Sequence, residues 1–138
     1  MTKSVIIHTD GGARGNPGPA AIGVVIEEEG KVIHEFGETI GETTNNVAEY
    51  KAVIEALKAC KKNNWGGESI HFFLDSLLVV NQMKGLFKIK DAKLQELSLE
   101  ARTLEKEVGG IITYQAIPRE QNKEADFLVN KALDAASI

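Results

Sequence analysis

The sequence predicts an α/β fold in which a five-stranded mixed sheet, three antiparallel strands followed by parallel additions, is flanked by helices in the order βββαβααβα. Three observations predict it. β-Branched runs broken by glycine and proline fill the first forty or so residues, amphipathic stretches with apolar residues spaced by three and four follow, and short apolar runs alternate with those stretches to the end of the chain.

Ser4 to Thr9 carries VII then HT and reads as a buried strand ending at Asp10, with Gly11-Gly12 behind it. GGARGNPGP is a tight loop, too short and rigid for a linker. Ala20 to Glu28 and Lys31 to Glu38 read as strands about a turn at Glu29-Gly30, so the first three strands form an antiparallel meander. Gly41 to Thr44 reads as a polar connection. From Asn46, the residues Val47, Tyr50, Ile54 and Leu57 define the apolar face of a helix reaching about Asn63. After the turn NNWGG, Ser69 to Leu74 is another buried strand, closed by Asp75-Ser76. Leu77 to Lys84 reads as a short helix with Gly85 at the position after its cap, where a left-handed conformation is usual. Asp91 caps a helix whose Leu94, Leu97, Ala101, Leu104 and Val108 suit core packing rather than a coiled coil, which needs a longer heptad run. Gly109-Gly110 ends it. Ile111 to Ile117 is the fifth strand, and Asn122 starts a last helix with Ala125, Leu128, Val129, Ala132 and Leu133 on one face.

A chain of 138 residues, 43% apolar and 26% charged, suits one globular domain over residues 1–138. No apolar run approaches the roughly 20 residues that span a bilayer, and MTKSVIIHTDGG lacks a signal-peptide layout, so a soluble, cytoplasmic protein is expected. The single cysteine, Cys60, has no disulfide partner in the chain and falls on the apolar face of a helix, as a core thiol does. His8, His34 and His71 all lie in expected strands and read as structural; His8 shares a strand face with Asp10, which leaves open a role behind that residue. The net charge of −4 argues against binding nucleic acid by bulk charge. Four carboxylates in one site would carry that whole charge, and two Mg²⁺ would cancel it.

Four acidic residues stand at the edges of expected elements, and each has a local reading. Asp10 before Gly-Gly suits a turn, and Asp75-Ser76 suits a helix N-cap. Asn46-Val47-Ala48-Glu49 has capping-box spacing, with Glu49 bonding back to Asn46. Asp126 in the first turn of the last helix favours the helix dipole. Their joint placement points further. A strand that follows a crossover helix normally lies parallel to its partner. If the strand ending at Asp75 lies beside the first, Asp10 and Asp75 emerge at the same carboxyl edge, where α/β sheets place ligands. Buried carboxylates side by side must stay protonated or share a cation, and an all-oxygen cluster suits Mg²⁺ or Mn²⁺ rather than zinc.

The segments TDGGARGNPGPAAIGVVI, TTNNVAEYKAVIEAL, LDSLLVV and IPREQNKEADFLVNKAL resemble, in order, the successive motifs of ribonuclease H, type I class. The resemblance spans nearly the whole chain. It implies the ribonuclease H-like fold and an endonuclease that cuts the RNA strand of an RNA/DNA hybrid, leaving 5′-phosphate and 3′-hydroxyl ends. It also implies that Asp10, Glu49, Asp75 and Asp126 are four metal-binding catalytic carboxylates. Two ions about 3.5 to 4 Å apart would hold the scissile phosphate, one making hydroxide from water and the other stabilising the leaving 3′ oxygen. Asp10, leaving the central strand, is expected to bridge both. Gly11, Gly12, Asn16, Asn45 and Asn46 match family positions that contact the minor groove and the two strands, and Thr44 matches a threonine that helps hold a DNA phosphate. Reading the 2′-hydroxyl is what separates RNA from DNA at such a site. No obligate protein partner is expected, and the chain is expected to act as a monomer.

Departures from the family pattern are specific. Where many relatives have a histidine in the loop before the last helix, this chain has IPREQN, and Arg119 takes roughly that place. Arginine cannot serve as a general base, so Arg119 either grips a phosphate, helps release product, or is a plain surface residue. After Lys84 only GLFKIKD precedes the next helix, so the chain is a compact form without the basic protrusion of some relatives. Lys84, Lys88, Lys90 and Lys93 could give weaker, salt-sensitive phosphate contacts or simply form a solvated face. A family glutamine two residues after the third carboxylate is Leu77 here. Two rival readings stay open: a non-catalytic hybrid-binding scaffold, and a domain of the same fold acting on double-stranded RNA or a DNA end.

Overall fold

The computed structural model describes residues 4–65 and 69–137. The Gly66-Gly67 half of the turn expected after α1 lies outside them. The elements are β1 (Ser4–Ala13), β2 (Gly18–Glu28), β3 (Lys31–Thr43), α1 (Asn45–Asn63), β4 (Ser69–Leu74), α2 (Leu77–Met83), α3 (Ala92–Val108), β5 (Ile111–Ala116), a 3₁₀ turn (Arg119–Gln121) and α4 (Lys123–Ala136). The expected element order and strand count both hold.

The sheet order is β3-β2-β1-β4-β5. β1 pairs antiparallel with β2, and β2 with β3, while β1–β4 and β4–β5 are parallel. β1 is central because its residues are apolar on the face covered by α1, where Val5 and Ile7 join Tyr50, Leu57 and Phe72 in the main core. α1 covers that face with α3 packed against α1, and α4 covers the other with a smaller cluster of Ala21, Val129 and Leu133. α4 sits close because Gly23 has no side chain: a Cβ there would lie 2.2 Å from the carbonyl oxygen of Ala125. Cys60 is fully buried and burial raises its thiol to about 11, as suits a core cysteine. Gly85 takes the expected left-handed conformation at φ 78°. No helix of the described residues is long and apolar enough to cross a membrane.

Two boundaries differ from expectation. β1 does not end at Asp10. Its parallel pairing with β4 stops at His8↔Phe73, but the antiparallel ladder with β2 continues through Asp10↔Gly23 to Ala13↔Ala20. β3 likewise runs past Glu38 to Thr43, taking in the supposed connection. It is an edge strand, mostly exposed on both faces, so its polar sequence carries no alternation to mark it.

Candidate active site

The parallel pairing of β1 and β4 brings Asp10 and Asp75 out at one sheet edge. The start of α1 leans over the same edge. Gly11 permits this approach, because a Cβ on it would fall 2.3 Å from the backbone carbon and oxygen of Ala48. At that contact the Gly11 N–H donates to Oε1 of Glu49 at 2.9 Å. Asp10, Glu49 and Asp75 thereby each offer a carboxylate oxygen, all within 4.8 Å of one another. Asp126, in the first turn of α4, faces the same cleft of ≈ 370 Å³, with its side chain 34% exposed.

The capping-box reading of Glu49 fails, and the Asp75-Ser76 cap falls to Ser76. The N-cap of α1 is Thr44, whose Oγ1 accepts from the Val47 N–H at 3.3 Å, so Asn46 is already helical and no Asn46–Glu49 capping box forms. Glu49 bonds across to β1 instead. The N-cap of α2 is Ser76, which accepts from Val79 N–H at 3.2 Å, and this leaves the Asp75 carboxylate to the cluster.

Electrostatics report the cost of the arrangement. Burial, augmented by the Asp75 charge, lifts Asp10 to about 7, while its hydrogen bond with Glu49 pulls the other way. Burial and then the Asp10 charge push Glu49 well above the usual carboxylate range. Asp75 is raised by burial, and Asn122 and Arg119 oppose that rise. Oε2 of Glu49 is buried without a hydrogen-bond partner among the described residues. Converging carboxylate oxygens, one of them orphaned, fit a hard divalent cation.

The other expected site residues surround this cluster. Asn16 Oδ1 accepts from the Asn45 N–H at 2.9 Å, and Asn45 Oδ1 accepts from the Ala13 N–H at 2.8 Å. This reciprocal clamp fixes the β1–β2 loop against α1 and orients both side-chain NH₂ groups. Gly12 and Asn46 line the cleft; the Thr44 hydroxyl, accepting as a cap, keeps its proton free to donate. Arg119 also lines the cleft, 81% exposed and 3.9 Å from Asp126 Oδ1. Leu77 is exposed at the start of α2, and Lys84, Lys88, Lys90 and Lys93 are all exposed. His8 stays apart from the carboxylates: it stacks on Phe73 at 5.3 Å and lines a separate hollow with Glu27 and Glu120. His34 packs on Phe36 and Trp65, and His71 Nδ1 lies 2.7 Å from Thr113 Oγ1.

Two residues at the site were not anticipated as such. Arg14 reaches from the β1–β2 loop to Asp134 of α4 at 2.7 Å. Asn122, expected only as a helix start, is 1% exposed among the carboxylates. Its position four residues before Asp126 was the available signal.

Fold and site together define an α/β protein with an acidic centre at the carboxyl edge of a mixed sheet. The family model described as "Reverse transcriptase-like" matches residues 8–132. The bifunctional protein Rv2228c of Mycobacterium tuberculosis is 42% identical over 135 residues, covering 96% of this chain and 36% of that protein. Ribonuclease HI of Halobacterium salinarum is 43% identical over 132 residues, covering 94% of this chain and 64% of the relative. The chain thus spans between about a third and two thirds of the length of these curated relatives. A solved structure of LC11-RNase H1 in complex with RNA/DNA hybrid superposes with a TM-score of 0.93 at 45% identity, over 97% of this chain and 99% of that one. This chain belongs to the ribonuclease H family, type I.

Proposed function

We propose that the chain is a divalent-metal-dependent endonuclease that hydrolyses the RNA strand of RNA/DNA hybrids, giving 5′-phosphate and 3′-hydroxyl ends. The observation that carries this is the convergence of Asp10, Glu49 and Asp75, with oxygens within 4.8 Å, in a cleft shared with Asp126. Support for the substrate comes from LC11-RNase H1, whose structure is a complex with such a hybrid.

In this reading Asp10, Glu49, Asp75 and Asp126 hold two Mg²⁺, or Mn²⁺ as the alternative. Bound there, the ions would lower the pKa of a water nucleophile and neutralise charge developing on the leaving 3′ oxygen. The chain's own residues supply position. The Gly11 N–H fixes one oxygen of Glu49 and thereby holds its carboxylate in place. Asp10, on the central strand between Glu49 and Asp75, is the residue whose loss costs most. The Asn16–Asn45 clamp, with Gly12, Asn46 and Thr44, forms the rim against which the minor groove and a DNA phosphate would rest. Arg119, exposed at the mouth and unable to take up a proton as a base, holds a phosphate or eases its departure.

The test is an end-labelled hybrid incubated with Mg²⁺ and, separately, Mn²⁺. Short RNA bearing 5′ phosphates beside intact DNA is expected. No cleavage with either metal would sink the reading, and hybrid binding without cleavage would make the chain a scaffold. Competition with double-stranded RNA and DNA ends decides the substrate class.

A further inference from the structure

Asn122 stands at the N-cap of α4, where an asparagine ordinarily turns its side-chain oxygen onto the free N–H groups of the first turn, a contact worth about 1 kcal/mol. Here it makes no such bond. Its Nδ2 donates instead to the carbonyl of Thr9 at 2.9 Å, a partner 113 residues away in sequence. Thr9 is the residue before Asp10 on β1. The same amide lies against the Asp75 carboxylate and favours its charged form. The backbone carbonyl of Asn122 accepts the Asp126 N–H at 3.1 Å. One side chain therefore ties the strand carrying Asp10 to the start of the helix carrying Asp126, with its amide beside Asp75. The arrangement has a cost, since Asn122 Oδ1 and Thr9 Oγ1 are both buried without partners among the described residues. An apolar residue would seal this position without that cost; what the amide adds is the NH₂ contact to Thr9.

We infer that Asn122 is a positioning residue: its NH₂ group pins the end of β1, and with it Asp10, to the start of the helix that carries Asp126, at the spacing at which the carboxylates share a cation. The inference rests on the metal-site reading proposed above. Removing groups that orient metal ligands typically weakens affinity about 10–100-fold.

The test is Mn²⁺ binding by calorimetry to the whole chain without substrate, for the unaltered protein, Asn122→Ala and Asn122→Ser. Each is measured well below its own melting midpoint, so that only folded protein is compared. Asn122→Ala should weaken Mn²⁺ binding about tenfold or more. Asn122→Ser, which keeps a donor hydroxyl, should fall between. The Mg²⁺ concentration giving half-maximal cleavage should rise in parallel. A folded Asn122→Ala that binds Mn²⁺ within about twofold of the unaltered protein overturns the inference, because a packing role alone leaves the ligands where they were. So does the failure of both variants to melt cooperatively, which would make Asn122 a folding residue. Failure of the unaltered chain to bind Mn²⁺ would instead remove the metal-site reading itself.

Discussion

Stripped of divalent ions by a chelator, the protein should lose stability as the pH rises from about 4 to about 8. Asp10 titrates at about 7 in the fold against an ordinary 3.8, chiefly because it is buried. Glu49 moves in the same direction for the same first reason. Between those pH values the folded chain holds protons that the unfolded chain has released, so ΔG of unfolding falls as pH rises. The stability is fully present below the unfolded pKa and is lost as pH passes through the folded one. For Asp10 alone the difference amounts to about 4 kcal/mol, at roughly 1.4 kcal/mol per pH unit. The pair shares its protons, so the second ionisation carries most of that cost. For a domain of this size the loss corresponds to roughly 14 °C in melting temperature.

Mg²⁺ or Mn²⁺ should reverse the trend, because cations bind the deprotonated carboxylates and displace their protons. Their stabilising effect should therefore grow with pH, being small near pH 5 and largest near pH 8. The assay is thermal melting followed by circular dichroism, across that range, with chelator and with each metal. A chelated melting temperature that stays flat or climbs between about pH 5 and pH 8 would refute the reasoning, since exposed ion pairs elsewhere are too weak to mask the effect.

Glu49→Gln keeps an oxygen that can accept the Gly11 N–H and removes a buried ionisable group. Its melting temperature in chelator at pH 8 should equal or exceed that of the unaltered protein while cleavage falls by orders of magnitude; a stability loss above about 1 kcal/mol with cleavage intact would make Glu49 structural. Gly11→Ala forces a Cβ against the backbone of Ala48. Urea unfolding should show a loss of roughly 1–3 kcal/mol or more, and a near-neutral result would mean that α1 can retreat. Arg119→Ala, altering an exposed side chain, should change stability by less than about 0.5 kcal/mol. If Arg119 holds a phosphate, kcat/KM should fall about tenfold or more, the worth of one charge-assisted hydrogen bond. An unchanged kcat/KM makes it a plain surface arginine.

The fold was legible because its elements carry local signals that agree with tertiary packing. The alternation of Val5 and Ile7 on β1 and the three-four spacing of Val47, Tyr50, Ile54 and Leu57 on α1 describe the two sides of one core. Boundaries failed where pairing rather than patterning sets them. β1 continues through Gly11 and Gly12 because β2 is there to accept its hydrogen bonds, a partner no local window contains. The carboxylates could be picked out individually, but their roles could not. Asn46-xx-Glu49 has the spacing of a cap and Asp75-Ser76 the residue types of one, and the structure gives those tasks to Thr44 and Ser76. Asn122 was obscured in the opposite sense: it occupies a cap position without capping.

The division of labour at the helix starts explains how the acidic cluster can exist at all. A carboxylate used as an N-cap is satisfied by backbone N–H groups and has little left to offer a cation. At both α1 and α2 a neutral hydroxyl takes the cap instead, from Thr44 and Ser76, and the nearby carboxylates of Glu49 and Asp75 are left out of the caps. Glu49 receives one backbone N–H on one oxygen and nothing on the other. That deficit costs the metal-free fold stability, and a small, hard cation, which can satisfy several such oxygens at once, would relieve it. Exchanging the tasks, for example by Ser76→Asp, should draw charge into the cap and add a further carboxylate beside Asp75. The substituted carboxylate is predicted to stabilise α2 by up to about 1 kcal/mol through the helix dipole while altering Mn²⁺ affinity. A variant whose Mn²⁺ affinity is unchanged would show that the cap and the cluster are independent.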